Sequence, residues 1–113
     1  MSNVKEIFQE IETALEEDPA YAQGVEAVYQ FNLDNDEVYQ VILKGADSYM
    51  AEGEKEKADC TLQMSSADFS KMALGELNGT QAFMSGKLKI KGNMGLALKL
   101  QSILAAYNKE KNA

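Results

Sequence analysis

Apolar residues recur near the start of the chain at intervals of three and four, which is the spacing of one face of an α-helix. Asn3 precedes this segment as a candidate capping residue, Glu6 lies three positions further on, and Pro19 ends the pattern. The pattern therefore predicts a first helix that packs on a sheet through its apolar face. The residues of that face are Val4, Ile7, Phe8, Ile11 and Leu15.

The next part of the chain alternates between apolar and polar residues, which is the period of a β-strand. The runs GVEAVYQFNLD and EVYQVILK flank the turn sequence Asp34-Asn35-Asp36, so they predict a hairpin. DSYMAEG and ADCTLQM predict a third and a fourth strand on either side of the charged loop EKEK. A helix, four successive strands and then further helices indicate an α+β fold with a largely antiparallel sheet.

Two short helices and a fifth strand are predicted in the second half of the chain. Ser65 and Asp68 form a capping pair ahead of Phe69, and QAFM predicts a single helical turn. KLKIK predicts a strand whose Leu88 and Ile90 share one face. The other face carries a lysine strip that consists of Lys87, Lys89 and Lys91.

The last predicted helix, capped by Asn93 and running to about Tyr107, is apolar around most of its circumference. Its apolar arc spans roughly 220°, against about 100° for an ordinary surface helix. One part of the arc can cover the sheet, and the remainder requires a second layer of core, a partner subunit or an apolar ligand. Gln101 falls inside the arc, where its amide needs hydrogen bonds either to nearby backbone or to the polar part of a bound lipid.

Size and charge narrow the range of partners. The chain has 113 residues, the usual size of one domain, so residues 1–113 are expected to form a single domain and a monomer. The net charge of −7 is uneven, because residues 1–68 carry 16 acids and 4 lysines while residues 69–113 carry 2 acids and 7 lysines. The absence of arginine argues against a nucleic-acid partner. The lysine strip either meets anionic membranes or phosphates, or protects a strand edge from pairing.

The chain lacks the residues on which most catalytic and metal sites depend. It has no histidine, a single cysteine at Cys60 and no glycine-rich nucleotide motif, so we expect no enzyme activity, metal or cofactor. There is no basic secretory signal and no run of about 18 apolar residues. The unpaired Cys60 fits a reducing compartment, and a cytoplasmic location is therefore expected.

The segment ADCTLQMSSADFSKMALGELNGTQAFMSGKLKIKGNMGLALKLQ, residues 58–101, resembles the sterol carrier protein two family of lipid carriers. The most specific part is GKLKIKGNMGLALKLQ, in which a lysine strand and Gly-Asn lead into an apolar helix. The S-x-x-D-F and G-x-L-N stretches also match, whereas the N-terminal part agrees only in the order of its elements. The chain ends in Lys-Asn-Ala rather than the small-Lys/Arg-Leu tripeptide of peroxisomal members, so peroxisomal targeting is not expected.

The resemblance implies a five-stranded, mainly antiparallel sheet covered by helices that enclose an apolar lipid tunnel. It also implies a non-catalytic intracellular carrier that binds fatty acids, fatty acyl-CoA, sterols or phospholipids and transfers them between membranes or enzymes. The alternative is an interaction or accessory module that uses the same apolar surface for a protein partner. The residues predicted to contact the lipid are Met72, Phe83, Met84, Leu88, Ile90, Met94, Leu98, Gln101 and Leu104.

Overall fold

A five-stranded mixed sheet forms the centre of the fold in the computed structural model, which describes residues 4–18 and 24–111, the last six by their backbone alone. The spatial order is β3-β2-β1-β4-β5, in which β1 and β4 run parallel and the other neighbouring pairs run antiparallel. The α+β architecture with a mainly antiparallel sheet is therefore confirmed. The strands are β1 (Glu26–Asn32), β2 (Val38–Lys44), β3 (Tyr49–Glu52), β4 (Cys60–Gln63) and β5 (Lys89–Gly92).

Within the described residues four α-helices accompany the sheet, and two of their bounds differ from the prediction. The Asn78 side chain caps α3 by accepting hydrogen bonds from the backbone N–H groups of Thr80 and Gln81. This helix therefore starts before the predicted QAFM. The last helix continues past Tyr107, since no glycine or proline interrupts that segment. The predicted Asn3 cap lies outside the described residues. The helices are α1 (Val4–Glu17), α2 (Ser66–Ala73), α3 (Gly79–Met84) and α4 (Met94–Lys111).

An aromatic cluster joins the first helix to the sheet. Phe8, on the predicted apolar face of α1, stacks on Tyr39 and on Phe69 with ring centroids 4.6 Å apart in both pairs. It also meets Phe31 of β1 edge-on at 5.3 Å. These rings belong to one buried cluster that includes side chains from α1, α2, α4 and the sheet, so one face of the sheet carries the core.

The connection from β3 to β4 crosses the opposite face of the sheet, because β4 has to enter in the same direction as β1. Gln40 of β2, which has no exposed surface, holds this crossing. Its amide oxygen accepts hydrogen bonds from the backbone N–H groups of Lys55 and Glu56, both at 3.0 Å. Its amide nitrogen donates to the Glu56 carbonyl at 2.7 Å and to Gln30 at 3.0 Å. All the polar groups of this buried side chain are thus paired.

The last strand, β5, is shorter at its start than the KLKIK pattern predicts. The N–H groups of Lys87 and Leu88 donate to the carbonyl of Ala82 at 2.9 and 3.1 Å, so they close the end of α3 instead of joining the sheet. The strand ends at Gly92, whose φ of 98° favours glycine. A Cβ atom there would lie 2.5 Å from the carbonyl oxygen of Asp59, so glycine also permits the close approach of two backbones.

Candidate functional site

An apolar cavity lies between β4, β5, α3 and the first half of α4. It contains about 480 Å³ of empty space, including the part that opens to solvent. None of the described residues around it is charged, and its polar side chains are those of Thr80 and Gln101. The lining consists of Leu62, Met72, Gly79, Thr80, Phe83, Leu88, Ile90, Met94, Ala97, Leu98, Leu100, Gln101 and Leu104.

Eight of the nine residues that the sequence predicted to contact a lipid surround this one cavity. They come from α2, α3, α4 and the β5 region, which are separate in the sequence. Leu88 and Ile90 both line the cavity, although only Ile90 belongs to β5. Their contact with a lipid stays a prediction. The eight are Met72, Phe83, Leu88, Ile90, Met94, Leu98, Gln101 and Leu104.

Met84 does not face the cavity, so its predicted position is wrong. Its residue is 81% exposed and is not part of the lining. The reason is helical geometry, because α3 turns Gly79 and Phe83 toward the cavity and Ala82 into the core. At about 100° per residue, Met84 falls on the remaining side of the helix, which faces solvent.

The broad apolar surface of α4 is divided between the core and the cavity mouth. Leu100 and Leu104 are buried and line the inner wall. Leu98 and Met94 line the cavity yet are 65% and 46% exposed, and Phe83 across the opening is 43% exposed. These three partly exposed side chains form the mouth. The surplus apolar arc predicted from the sequence therefore borders an opening to solvent.

Gln101 brings a polar group into the cavity wall. Its amide oxygen accepts a hydrogen bond from the Thr80 hydroxyl at 3.2 Å, so its partner is a side chain and not the nearby backbone. Within the described ranges, its amide nitrogen has no hydrogen-bond partner. That nitrogen is the one side-chain donor of the lining that remains free among these residues.

Five lining residues were not predicted from the sequence, although some signals for them existed. Leu62 alternates with buried Cys60 and Met64 in β4, and Ala97 and Leu100 belong to the apolar arc of α4. Gly79 and Thr80 carried no such signal. They line the cavity only because α3 packs against α4, which is a tertiary contact.

Two residues of the lysine strip, Lys89 and Lys91, lie on the other face of the sheet, whereas Lys87 precedes β5. Lys89 and Lys91 pair in register with Gln63 and Thr61, whereas Ile90 pairs with Leu62, which lines the cavity. Strand alternation therefore turns these two lysines away from the cavity. All three lysines of the strip are exposed. Because β5 is an edge strand, the strip borders the outer edge of the sheet.

A buried tyrosine positions α4 over the sheet. The Tyr29 hydroxyl donates to the carbonyl oxygen of Leu96 at 2.6 Å, and the residue has no exposed surface. Burial raises the pKa of Tyr29, so the hydroxyl stays protonated as a donor. Burial likewise raises the pKa of the Cys60 thiol, which has no exposed surface. The thiol is thus kept protonated and packs as a small apolar group.

The described residues show neither a metal-ligand cluster nor a membrane-spanning helix. No group of three or more potential metal-ligating acids, cysteines or histidines occurs between 4 and 18 or between 24 and 111. In the same ranges no helix combines the length and the hydropathy needed to cross a bilayer.

Known proteins resemble this chain along most of its length. Residues 8–105 match the model of the SCP-2 sterol transfer family. Hydroxysteroid dehydrogenase-like protein 2 of Xenopus laevis is 43% identical over 110 residues, which cover 95% of this chain and 26% of the relative. The chain thus spans about a quarter of the length of the curated relatives it matches.

Solved structures share the fold. The sterol carrier protein domain 2 of Helicoverpa armigera aligns with a TM-score of 0.78 and 29% identity, covering 92% of this chain and 87% of that one. The sterol carrier protein 2 of Aedes aegypti, solved in complex with palmitate, aligns with a TM-score of 0.72 and 24% identity, covering 88% and 92%.

Proposed function

This chain belongs to the SCP-2 sterol transfer family, and we propose that it is a non-catalytic carrier that holds a lipid in the apolar cavity and delivers it to membranes or enzymes. The observation that carries the proposal is the cavity lined without any charged residue, with a partly exposed mouth. Such a lining favours an acyl chain or a sterol body and disfavours a polar metabolite. Fatty acids, fatty acyl-CoA, sterols and phospholipids are the proposed ligand classes.

Fatty acids are the first ligand class to test. Burying about 14 methylenes contributes roughly 11 kcal/mol before the costs of association and chain ordering. Those costs remove several kcal/mol, so micromolar or tighter binding is expected. The complex of the Aedes aegypti protein with palmitate supports this choice of ligand.

A titration tests the carrier function directly. Delipidated protein is titrated with a fluorescent fatty acid, and saturable binding that palmitate displaces is the expected result. Native mass spectrometry of freshly purified protein adds a second measurement, in which a monomer with bound lipid supports the carrier. A lipid-free dimer, or no saturable binding up to about 100 μM, refutes the carrier and favours the interaction module.

The delivery step is proposed to involve an anionic membrane. Between Glu76 and Glu110 the sequence contains five lysines and no acid, and this stretch includes α3, β5 and most of α4. The edge strand β5 contributes Ile90 to the cavity wall, and it contributes the exposed Lys89 and Lys91 to its other face. A bilayer that meets this edge would lie near both the lysines and the cavity mouth. Each lysine near an anionic surface is worth about 1 kcal/mol.

Charge removal separates membrane docking from protection of the strand edge. Changing Lys87, Lys89 and Lys91 to Gln should slow lipid transfer to anionic vesicles by about an order of magnitude or more, without changing equilibrium binding. The matched control changes three exposed lysines outside the acid-free stretch, Lys5, Lys55 and Lys57, to Gln. Unaltered transfer at low salt, combined with faster aggregation of the first variant, would instead assign the strip to edge protection.

A further inference from the structure

A second cavity, here called the rear cavity, lies behind the apolar cavity. It contains about 500 Å³ of empty space, including its open part, and is bordered by the turn after α2, the start of α3 and the middle of α4. The two cavities share four lining residues, so they adjoin each other and these residues form the partition between them. Those residues are Met72, Gly79, Gln101 and Leu104.

Gln101 is the polar and rotatable member of this partition. Its amide oxygen lies so close to the α3 backbone that a Cβ atom on Gly79 would be only 2.8 Å away. The hydrogen bond from the Thr80 hydroxyl, 3.2 Å long, holds the amide in that position. A single hydrogen bond between neutral groups at the protein surface exchanges readily with water, and side chains of this kind change rotamer rapidly.

We propose that Gln101 closes the passage to the rear cavity and thereby sets the length of acyl chain that the protein accepts; this inference rests on the proposed function. The hydrogen bond from the Thr80 hydroxyl to the Gln101 amide oxygen, here called the latch, holds Gln101 in the closed position. With the latch closed, a chain ends against the Gln101 amide. With the latch open, the rear cavity receives the end of a longer chain, which contacts apolar residues such as Leu77 and Leu104.

This arrangement predicts a particular dependence of affinity on chain length. Each methylene that becomes buried tightens binding by about fourfold. In the natural protein, affinity should rise with chain length until the apolar cavity is full and should then level off. Beyond that length, a further methylene either stays in water or has to displace the Gln101 amide from Thr80.

The test measures dissociation constants for saturated fatty acids of increasing length. Gln101→Ala should move the plateau to longer acids by at least about two carbons, which is roughly fifteenfold tighter binding of the longest acids. Thr80→Val removes the hydroxyl that donates to Gln101 but keeps the Gln101 side chain. It should therefore move the plateau in the same direction by a smaller number of carbons than Gln101→Ala. Gln81→Ala is the matched control, since Gln81 is an exposed glutamine of α3 that lines neither cavity.

The outcomes distinguish this inference from the proposed function. Short acids bound normally, with the same plateau in the natural protein and in both latch variants, would overturn the inference and leave the carrier function intact. A control variant that shifts the plateau as far as Gln101→Ala would also overturn it. If the natural protein binds no fatty acid at all, that result refutes the proposed function, on which the inference rests. Thermal unfolding verifies each fold, and Thr80→Val decides the question if Gln101→Ala is unstable.

Discussion

Substitution of Leu98 by tryptophan tests whether the apolar cavity is the lipid site. Leu98 lines the cavity mouth from α4, and its residue is 65% exposed. A larger side chain there meets little packed core, so the free energy of unfolding should change by only about 0.5 kcal/mol. The indole can nevertheless fold over the opening and occupy space that an acyl chain would use. Binding should therefore weaken while the fold is preserved.

The size of the effect follows from the number of methylenes that the indole excludes. If about three are excluded, at about 0.8 kcal/mol each, binding loses roughly 2.4 kcal/mol. This loss corresponds to a dissociation constant about 60-fold higher. The assay is the fluorescent fatty-acid titration, with thermal unfolding measured on the same samples.

Met84→Trp is the matched control for this prediction. Met84 is a large exposed apolar residue like Leu98, but it lies on the solvent side of α3 and outside the cavity lining. The same indole at Met84 should leave the dissociation constant within about twofold of the natural protein. A folded Leu98→Trp protein with unchanged affinity, or equal weakening by both variants, would refute the assignment of the site to this cavity.

Three further predictions concern the groups that support the site. Gln40→Leu leaves three backbone groups of the β3–β4 crossing unpaired and should lower the free energy of unfolding by about 2–4 kcal/mol in urea denaturation; a loss under about 1 kcal/mol contradicts this role. Tyr29→Phe removes the 2.6 Å hydrogen bond to the Leu96 carbonyl and should cost about 1–2 kcal/mol, and no loss would mean that α4 is held by packing alone. Hydrogen bonds from the Ser66 hydroxyl and N–H lower the pKa of Asp34 in the folded protein. The ionised carboxylate therefore stabilises the fold at pH values above its ordinary pKa, and this contribution is lost as the pH falls through the lower pKa of the folded state. Ser66→Ala should raise the pKa of Asp34 in an NMR titration, and an unchanged pKa would exclude the hydroxyl as a cause.

Much of the fold could be predicted from the sequence because its signals are local. The alternation around Tyr29 and Phe31, the cap at Ser65 and the apolar arc of α4 each depend on residues close in the chain. Burial of one face follows from such spacing wherever one side of an element meets the core. The lysine strand and the apolar helix after it also carried the family resemblance, which the match over residues 8–105 confirms.

Other features depended on long-range packing and had no local signal. The parallel pairing of β1 with β4 joins residues distant in sequence, and so do the hydrogen bonds between Gln40 and the β3–β4 crossing. Helical spacing alone also could not decide which side of the short α3 would meet α4. That contact turned Met84 to solvent and brought Thr80 to the cavity, against the sequence prediction for Met84.

The sequence by itself determined that this chain has more apolar surface on its last helix than one sheet face can cover, because composition and helical period are properties of neighbouring residues. Only the tertiary structure decided how that surface is used. Leu100 and Leu104 are buried against the core, Leu98 borders an opening, and Gln101 meets Thr80 across two helices. Cavities arise where elements fail to fill the space between them, and this depends on the relative positions of elements that local periodicity does not specify.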